Sequence, residues 1–430
     1  SHNPKEYNGY KAYWTDGAQV TAPHDKNIIK EVNKITSIDE VKFERNPALV
    51  QMIGKDIDEA YIKMVLGLSV DPEVIKKQHD LKIVYTPLHG TGITLVPEVL
   101  KRMGFTNVFV VDKQAEPNGN FPTVVYPNPE EKEAMTLALE KASEVDADLV
   151  LATDPDADRV GIAVKDLNGE FVLLNGNQTG SLMIFYLLKA WKEAGKLTGN
   201  EYIVKTIVTT DLIRRIAEHY EVTCYDTLTG FKYIAEVIRN LEGQQTFIGG
   251  GEESYGYMIG DKVRDKDGIA SCAIIAEMVA SAKNQGLSLY ELMAEMYREF
   301  GCYKEELISF TKKGQRGAQE IQEMMQQFRE NPPKQLAGSE VVEMIDYKTG
   351  IHQNLVTNTA DKVHLESSNV LQFITEDGSK ISARPSGTEP KIKFYISVKE
   401  RIDNETDIEA IEKTLSEKVK QIVTDLGLEK

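Results

Sequence analysis

Cysteine is scarce in this chain: Cys224, Cys272 and Cys302 stand far apart and odd in number. No zinc spacing and no disulfide framework can be drawn from them, so a reduced, cytoplasmic setting is expected. Long apolar runs are missing as well. No stretch reaches the roughly 18 apolar residues that a membrane-spanning helix needs. Basic residues fall short of acidic ones, 50 against 67, leaving a net charge of -17. That balance argues against a nucleic-acid partner, whose phosphates need a basic face. It leaves small phosphorylated substrates open, because a few local cations suffice. Lys11, Arg159, Lys232, Arg264, Lys266 and Arg384 are available for that. The 430 residues exceed one average domain, and 41% hydrophobic with 27% charged residues is ordinary for a globular protein.

What is present is most concentrated at Ala152-Thr153-Asp154-Pro155-Asp156-Ala157-Asp158-Arg159. Three carboxylates alternate directly after the apolar run Leu149–Leu151. A strand ending in a tight loop can aim all three at one point. Hard oxygen ligands converging in this way suit Mg2+, and Arg159 adds a planar fork for phosphate. A solvated acidic turn or half of an EF-hand is the alternative. An EF-hand loop starting at Asp154 wants Gly at its sixth position and Glu at its twelfth, where Arg159 and Lys165 stand.

The chain opens Ser1-His2-Asn3-Pro4-Lys5-Glu6-Tyr7-Asn8-Gly9-Tyr10-Lys11. With the Asp loop, this resembles the α-D-phosphohexomutase family, which includes phosphoglucomutases and phosphomannomutases. The family carries a phosphoserine loop ending Ser-His-Asn-Pro, followed by Tyr-Asn-Gly, an aromatic residue and Lys. The resemblance implies that Ser1 carries the phosphoryl group and also ligates Mg2+ with Asp154, Asp156 and Asp158. It implies that Lys11, with His2, moves protons. An expression-tag scar would not continue into nine further motif residues. In the family this loop lies well inside the first domain, so the resemblance implies that the N-terminal part of that domain is missing from the sequence.

Two more loops fit. Gly250-Gly251-Glu252-Glu253-Ser254-Tyr255-Gly256 resembles the sugar-recognition loop, where Glu252 and Ser254 would hydrogen-bond ring hydroxyls. Arg384-Pro385-Ser386-Gly387-Thr388-Glu389-Pro390 resembles the phosphate-binding loop, with Arg384, Ser386, Gly387 and Thr388 around a phosphate. Lys232, in Thr229-Gly230-Phe231-Lys232, resembles a residue near the sugar phosphate; a solvated surface lysine is the alternative. Lys266, in Arg264-Asp265-Lys266-Asp267-Gly268, is a second proton-transfer candidate, with an ordinary charged turn as its alternative. His89, in a glycine-flanked loop, could touch the reactive phosphate or simply shape a turn. The histidine that bacterial phosphomannomutase/phosphoglucomutases carry in the sugar loop is absent, since Tyr255 and Gly256 occupy its last two positions. Glu-Glu-Ser resembles the phosphoglucomutase and phosphopentomutase branch.

The expected fold is α/β: several α/β domains with mixed or parallel sheets around a cleft, and a C-terminal α+β domain. The expected division is 1–45, 46–164, 165–303 and 304–430. Strands are predicted at Leu81–Tyr85, Val108–Val111 and Asp148–Ala152 with helices between, implying a parallel sheet with crossovers. Further strands are expected at Tyr202–Val208 and Thr246–Ile248, and an apolar core helix at Ile269–Ala282. The last part reads as strands at Val341–Ile345, Val370–Thr375, Lys380–Ala383 and Ile392–Val398 with a helix over Ile408–Leu426.

The implied activity is interconversion of glucose 1-phosphate and glucose 6-phosphate, with Mg2+ and glucose 1,6-bisphosphate as intermediate. Mannose phosphate, pentose phosphate and bisphosphate synthesis stay open. So does a fragment that binds sugar phosphates without mutase activity. A haloacid-type phosphatase would need Asp-x-Asp-x-Thr/Val, and Asp154-Pro155-Asp156-Ala157-Asp158 lacks that continuation.

Overall fold

The computed structural model describes the chain except residues 8, 313, 387–389, 403–407 and 429–430. Two compact units emerge: Ser1–Thr206 with Ile216–Leu292, and Ile207–Arg215 with Met293–Lys430. Among the described residues, no helix is long and apolar enough to cross a membrane.

The first sheet of the larger unit has β1 (Lys82–Thr86), β2 (Asn107–Val110), β3 (Leu149–Thr153), β4 (Val160–Lys165) and β5 (Phe171–Leu174), in the order β2-β1-β3-β4-β5. Strands β2, β1 and β3 run parallel, as the alternation with helices predicts. Two further strands, which the sequence reading did not mark, make the sheet mixed. Strands β4 and β5 are antiparallel. The reason is chain length: residues 154–159 are too few for a crossover, which takes about a dozen or more. The Asp loop is therefore the turn of a hairpin. Central β3 is buried throughout. The helix Lys132–Val145 covers the sheet with Met135, Ala138 and Ala142, spaced by three and four to lie on one face, against Val84, Val150 and Ala163.

The second sheet repeats this solution. It holds β6 (Glu201–Thr206), β7 (Thr223–Thr227), β8 (Thr246–Gly251) and β9 (Tyr257–Ile259), in the order β7-β6-β8-β9. Only β9 is antiparallel, after the tight turn 252–256. The helix Gly268–Asn284 is apolar nearly all round and accordingly buried. Its one fully buried carboxylate, Glu277, is satisfied by four donors. These are Ser69 Oγ, the backbone N–H groups of Val70 (2.9 Å) and Asp71 (3.0 Å), and Tyr186 OH (2.8 Å). A buried charge needs such partners, so Glu277 pins residues 69–71 to the helix.

The smaller unit is a largely antiparallel sheet with helices Gly314–Glu330 and Ile408–Asp425. Its strands are β10 (Cys302–Thr311), β11 (Gln335–Leu336), β12 (Ser339–Asp346), β13 (Ile351–Asn354), β14 (Thr359–Lys362), β15 (Leu371–Thr375), β16 (Lys380–Pro385) and β17 (Lys391–Glu400). The order is β10-β17-β16-β15-β12-β13-β14, with β11 beside β12. Phe328 packs edge-on against Phe373 and Phe394, at 6.0 and 6.2 Å between ring centres. The edge strand β10 has no counterpart in the sequence-based reading. Lys304, Glu305 and Glu306 break its alternation, and pairing along all of β17 is what holds it extended.

Within β10, half-buried Glu305 accepts from Ser397 Oγ at 3.2 Å. Burial pushes its carboxyl up to about 7, and Thr210, Ser397 and Lys380 offset this only in part. A carboxyl held above its unfolded value favours folding while it is protonated, and that contribution is lost as pH rises through about 7. Thermal unfolding followed from pH 5 to 8 should therefore show stability falling across this window. Glu305→Gln should flatten the fall; an identical slope in the variant would remove Glu305 as its source.

Candidate active site

The hairpin between β3 and β4 shapes the acidic turn from within. Asp154, 0% exposed, accepts the backbone N–H groups of Asp158 and Arg159 with Oδ1, both at 3.0 Å. Ala157 donates its N–H to the Asp154 carbonyl and takes a left-handed φ of 56°. The turn thus curls round its own first carboxylate. Oxygens of Asp154, Asp156 and Asp158 come within 4.8 Å of one another. Asp154 Oδ2 is buried and has no hydrogen-bond partner. Burial pushes the Asp154 carboxyl well above the usual range, and the charges of Asp158 and Asp156 push it further. A hard divalent cation fits this donor set: it would take up the orphaned oxygen and relieve the repulsion.

Cations gather on the open side. The backbone nitrogen of Ser1 lies 2.8 Å from Asp156 Oδ1, which puts the serine at the mouth of the turn. Ser1 Oγ accepts the N–H of Asn3 at 3.3 Å. Lys11 Nζ is 3.4 Å from Asp158 Oδ2 and half in solvent. Lys266 Nζ reaches the same oxygen at 3.1 Å and Asp265 Oδ1 at 3.2 Å, and it stands 5.3 Å from the centre of the Phe231 ring. Burial works against the Lys266 ammonium, but Asp158, Asp265 and Glu252 outweigh it and hold its pKa above the ordinary value. His2 is lowered to about 4, by burial first and then by the Arg159 charge, so its imidazole is neutral at pH 7. Arg159 is partly committed: Nη1 pairs with Glu130 at 2.6 Å, while buried Nε has no hydrogen bond.

The sugar-loop candidate packs against the same turn. Val160 donates its N–H to the Tyr255 carbonyl at 3.0 Å, and Gly268 to the Ala157 carbonyl at 2.9 Å. Glu252 Oε1 accepts the N–H of Gly230 at 2.8 Å. Burial and the neighbouring Glu253 charge raise the Glu252 carboxyl, with Lys266 and the Gly230 N–H acting against them. Ser254 is half-buried in the same turn. Close approach requires glycine at position 90, where a Cβ would lie 2.3 Å from the Pro155 Cα; one on Gly256 would lie 2.1 Å from Lys266 Cδ and displace that side chain.

In the smaller unit, half-buried Arg384 ends β16, and the Ser386 N–H donates to the Lys391 carbonyl at 2.7 Å. Gly387 and Thr388 lie outside the described residues.

Against known families, residues 1–39, 59–169 and 175–300 match the phosphoglucomutase/phosphomannomutase α/β/α domains I, II and III respectively. A curated phosphoglucomutase of Staphylococcus haemolyticus (strain JCSC1435) is 38% identical over 408 residues, 94% of this chain and 72% of that protein. The chain belongs to the phosphoglucomutase/phosphomannomutase family.

Solved structures agree on the fold. A family protein from Burkholderia thailandensis gives a TM-score of 0.64 at 17% identity, covering 99% of this chain and 74% of that one. Aspergillus fumigatus N-acetylphosphoglucosamine mutase, solved with GlcNAc-6P and magnesium, gives 0.54 at 12%, covering 99% and 86%.

Within this family member, three cations and histidines of the sequence reading have structural ties. His89 bonds the Glu116 carbonyl at 3.1 Å and Thr123 Oγ1 at 2.8 Å, so both ring nitrogens serve the loop 112–124. Lys232 pairs with Asp25 at 3.2 Å, and buried Arg264 pairs with Glu242 at 2.8 Å. Conversely, Tyr13, Asp265 and Glu130 do not stand out in the sequence. Tyr13 OH donates to Asp265 Oδ2 at 2.5 Å, tying the serine arm to the Lys266 loop.

Asp156→Asn removes one anionic ligand from the triad. Mg2+ affinity should fall by more than the ~10–100-fold typical of residues that merely orient a ligand. The circular dichroism spectrum should not change. A Mg2+ titration superimposable on that of the unaltered chain would remove Asp156 from the ligand set.

Proposed function

We propose that this chain interconverts glucose 1-phosphate and glucose 6-phosphate, through a phosphoserine at Ser1 and glucose 1,6-bisphosphate. The observation that carries this reading is the pairing of Lys11 and Lys266 with Asp158, in an acidic turn that fits a divalent cation, in a chain 38% identical to a phosphoglucomutase. Mg2+ held by Asp154, Asp156, Asp158 and phosphorylated Ser1 would neutralise charge on the transferring group.

The chain's own residues do the rest. Ser1 gives its phosphoryl group to a sugar hydroxyl: the serine O–P bond breaks, a sugar O–P bond forms, and the hydroxyl loses its proton. The neutral His2 imidazole takes that proton, and the Lys11 ammonium, with one carboxylate at 3.4 Å, gives one to the released serine oxygen. Lys266, between two carboxylates, stays charged and binds the phosphoryl group beside Arg159. The bisphosphate turns over and returns its other phosphoryl group to Ser1. Glu252 and Ser254 hold ring hydroxyls in both orientations. Arg384, Ser386, Gly387 and Thr388 hold the phosphate that is not transferred. Lys232, tied to Asp25, steadies the neighbouring loop. The same reading divides the chain at 1–45, 46–164, 165–303 and 304–430. It places the enzyme in the cytoplasm, where the buried thiols of Cys272 and Cys302 stay reduced. Its partners are small sugar phosphates, with neither nucleic acid nor membrane.

A coupled assay with Mg2+ and catalytic glucose 1,6-bisphosphate tests the reading, run with glucose, mannose and pentose 1-phosphates. Glucose 1-phosphate should turn over fastest; a faster rate with either other sugar would reassign the substrate. Ser1→Ala should abolish turnover, yet glucose 6-phosphate should still bind. Phosphopeptide mapping after incubation with the bisphosphate should find Ser1, and label elsewhere would end its carrier role.

Glu252→Gln keeps the shape of the loop but weakens charge-assisted hydrogen bonds, each worth about 1.5–3 kcal/mol. The kcat/KM should fall roughly 10- to 150-fold with both glucose 1-phosphate and glucose 6-phosphate. Loss with one substrate alone would contradict a loop shared by both orientations.

A further inference from the structure

The smaller unit contains a second concentration of positive charge, away from Arg384. We propose that it is an anion site built for the phosphate of a small phosphomonoester. It lies where β10 begins and β17 ends, in a pocket of about 270 Å³ whose lining includes Arg215, Lys399, Arg401, Phe300 and Tyr303. Three cations on one pocket stand out in a chain of net charge -17. Among the described residues, none of the three is ion-paired to a carboxylate.

Two carboxylates, Asp377 and Glu400, line the pocket as well and cancel the three cations only in part. Asp377 is paired with Lys418 at 2.7 Å and also accepts from Thr375 Oγ1 at 2.7 Å and from Ser379 N and Oγ at 3.0 and 2.7 Å. Glu400 is exposed and accepts the backbone N–H of Arg401 at 3.2 Å.

Lys399 is held in place rather than trailing in solvent. Its ammonium stands 5.9 Å from the centre of the Tyr303 ring. Its stem crosses the bare backbone of Gly378, where a Cβ would come within 2.4 Å of Cε and 2.5 Å of Nζ. Gly378 also has a φ of +79°, which glycine alone adopts freely. Guanidinium groups suit the fork geometry of a phosphate, and Lys399 adds a point charge to the same lining.

The pocket is separate from the Arg384 loop. Arg384 pairs with Lys393, and the six residues from there to Lys399 span ~20 Å of extended strand. The lining points to an ester: Phe300 and Tyr303 border the pocket beside the cations, and a short carbon skeleton would pack against them. A nucleic-acid strand is too large for it and is repelled by the rest of the chain. This site does not depend on the reaction proposed above.

The test uses the full chain carrying Arg384→Ala, to silence the other phosphate loop, at low salt and without Mg2+. Inorganic phosphate and glucose 6-phosphate are titrated by calorimetry. Both should bind, the ester more tightly, and adding Lys399→Gln with Arg401→Gln should weaken both at least tenfold. Crystals soaked in tungstate should show the heavy atom between Arg215, Lys399 and Arg401. Binding lost on Arg384→Ala alone, or unchanged by the double glutamine variant, would overturn the site. Equal affinity for phosphate and ester would overturn the ester assignment.

Discussion

Three carboxylates on alternate residues of one turn repel each other, and Asp154 is wholly buried among them. Such a turn holds only if positive charge and backbone N–H groups come to it from elsewhere. Here the N–H groups are local, those of Asp158 and Arg159, but the lysines are remote. Lys11 stands 147 residues before Asp158, and Lys266 stands over a hundred residues after it. Drawing both to one carboxylate fixes the path of the serine arm and the start of the helix Gly268–Asn284. The Gly268 N–H on the Ala157 carbonyl and the Tyr255 carbonyl on the Val160 N–H then close the turn between two sheets. Neutralising one acidic hairpin therefore organises most of the larger unit.

A positive charge near such a centre is not thereby available to a substrate. Lys232 and Arg264 each have an acidic partner within 3.2 Å, and Arg159 spends one side of its guanidinium on Glu130. Lys11 keeps its ammonium half in water, and Lys266 faces Asp158 of the centre and its own neighbour Asp265. The difference lies in partners, and partners are a property of the folded chain.

That distinction also marks how far the sequence could be read. The Asp turn was legible because its three carboxylates and the strand before it are contiguous. The helices Lys132–Val145 and Ile408–Asp425 were legible because one face of each repeats apolar residues within a few turns. The reversal at β4 was legible only in principle, from six residues being too few for a crossover. The strand β10 was not, because its charged residues hide the period and only β17 holds it extended. Tyr13 and Asp265 are 252 residues apart, and Ser69 and Glu277 are 208 apart. No local pattern encodes pairs of that kind. The site residues of the serine arm and the loops stood out through resemblance, whereas their electrostatic standing did not.

Gly256 carries a consequence for neighbouring branches of the family. The stem of Lys266 occupies the space that any side chain at position 256 would fill, with Cδ 2.1 Å from where a Cβ would sit. The version of this loop that ends in histidine puts an imidazole at that position. The imidazole and this course of the lysine are therefore mutually exclusive occupants of one volume. A ring introduced at position 256 alone would push the Lys266 stem off its present course and with it the ammonium from Asp158. The residue at position 256 thus decides whether a lysine at position 266 can take this course to Asp158.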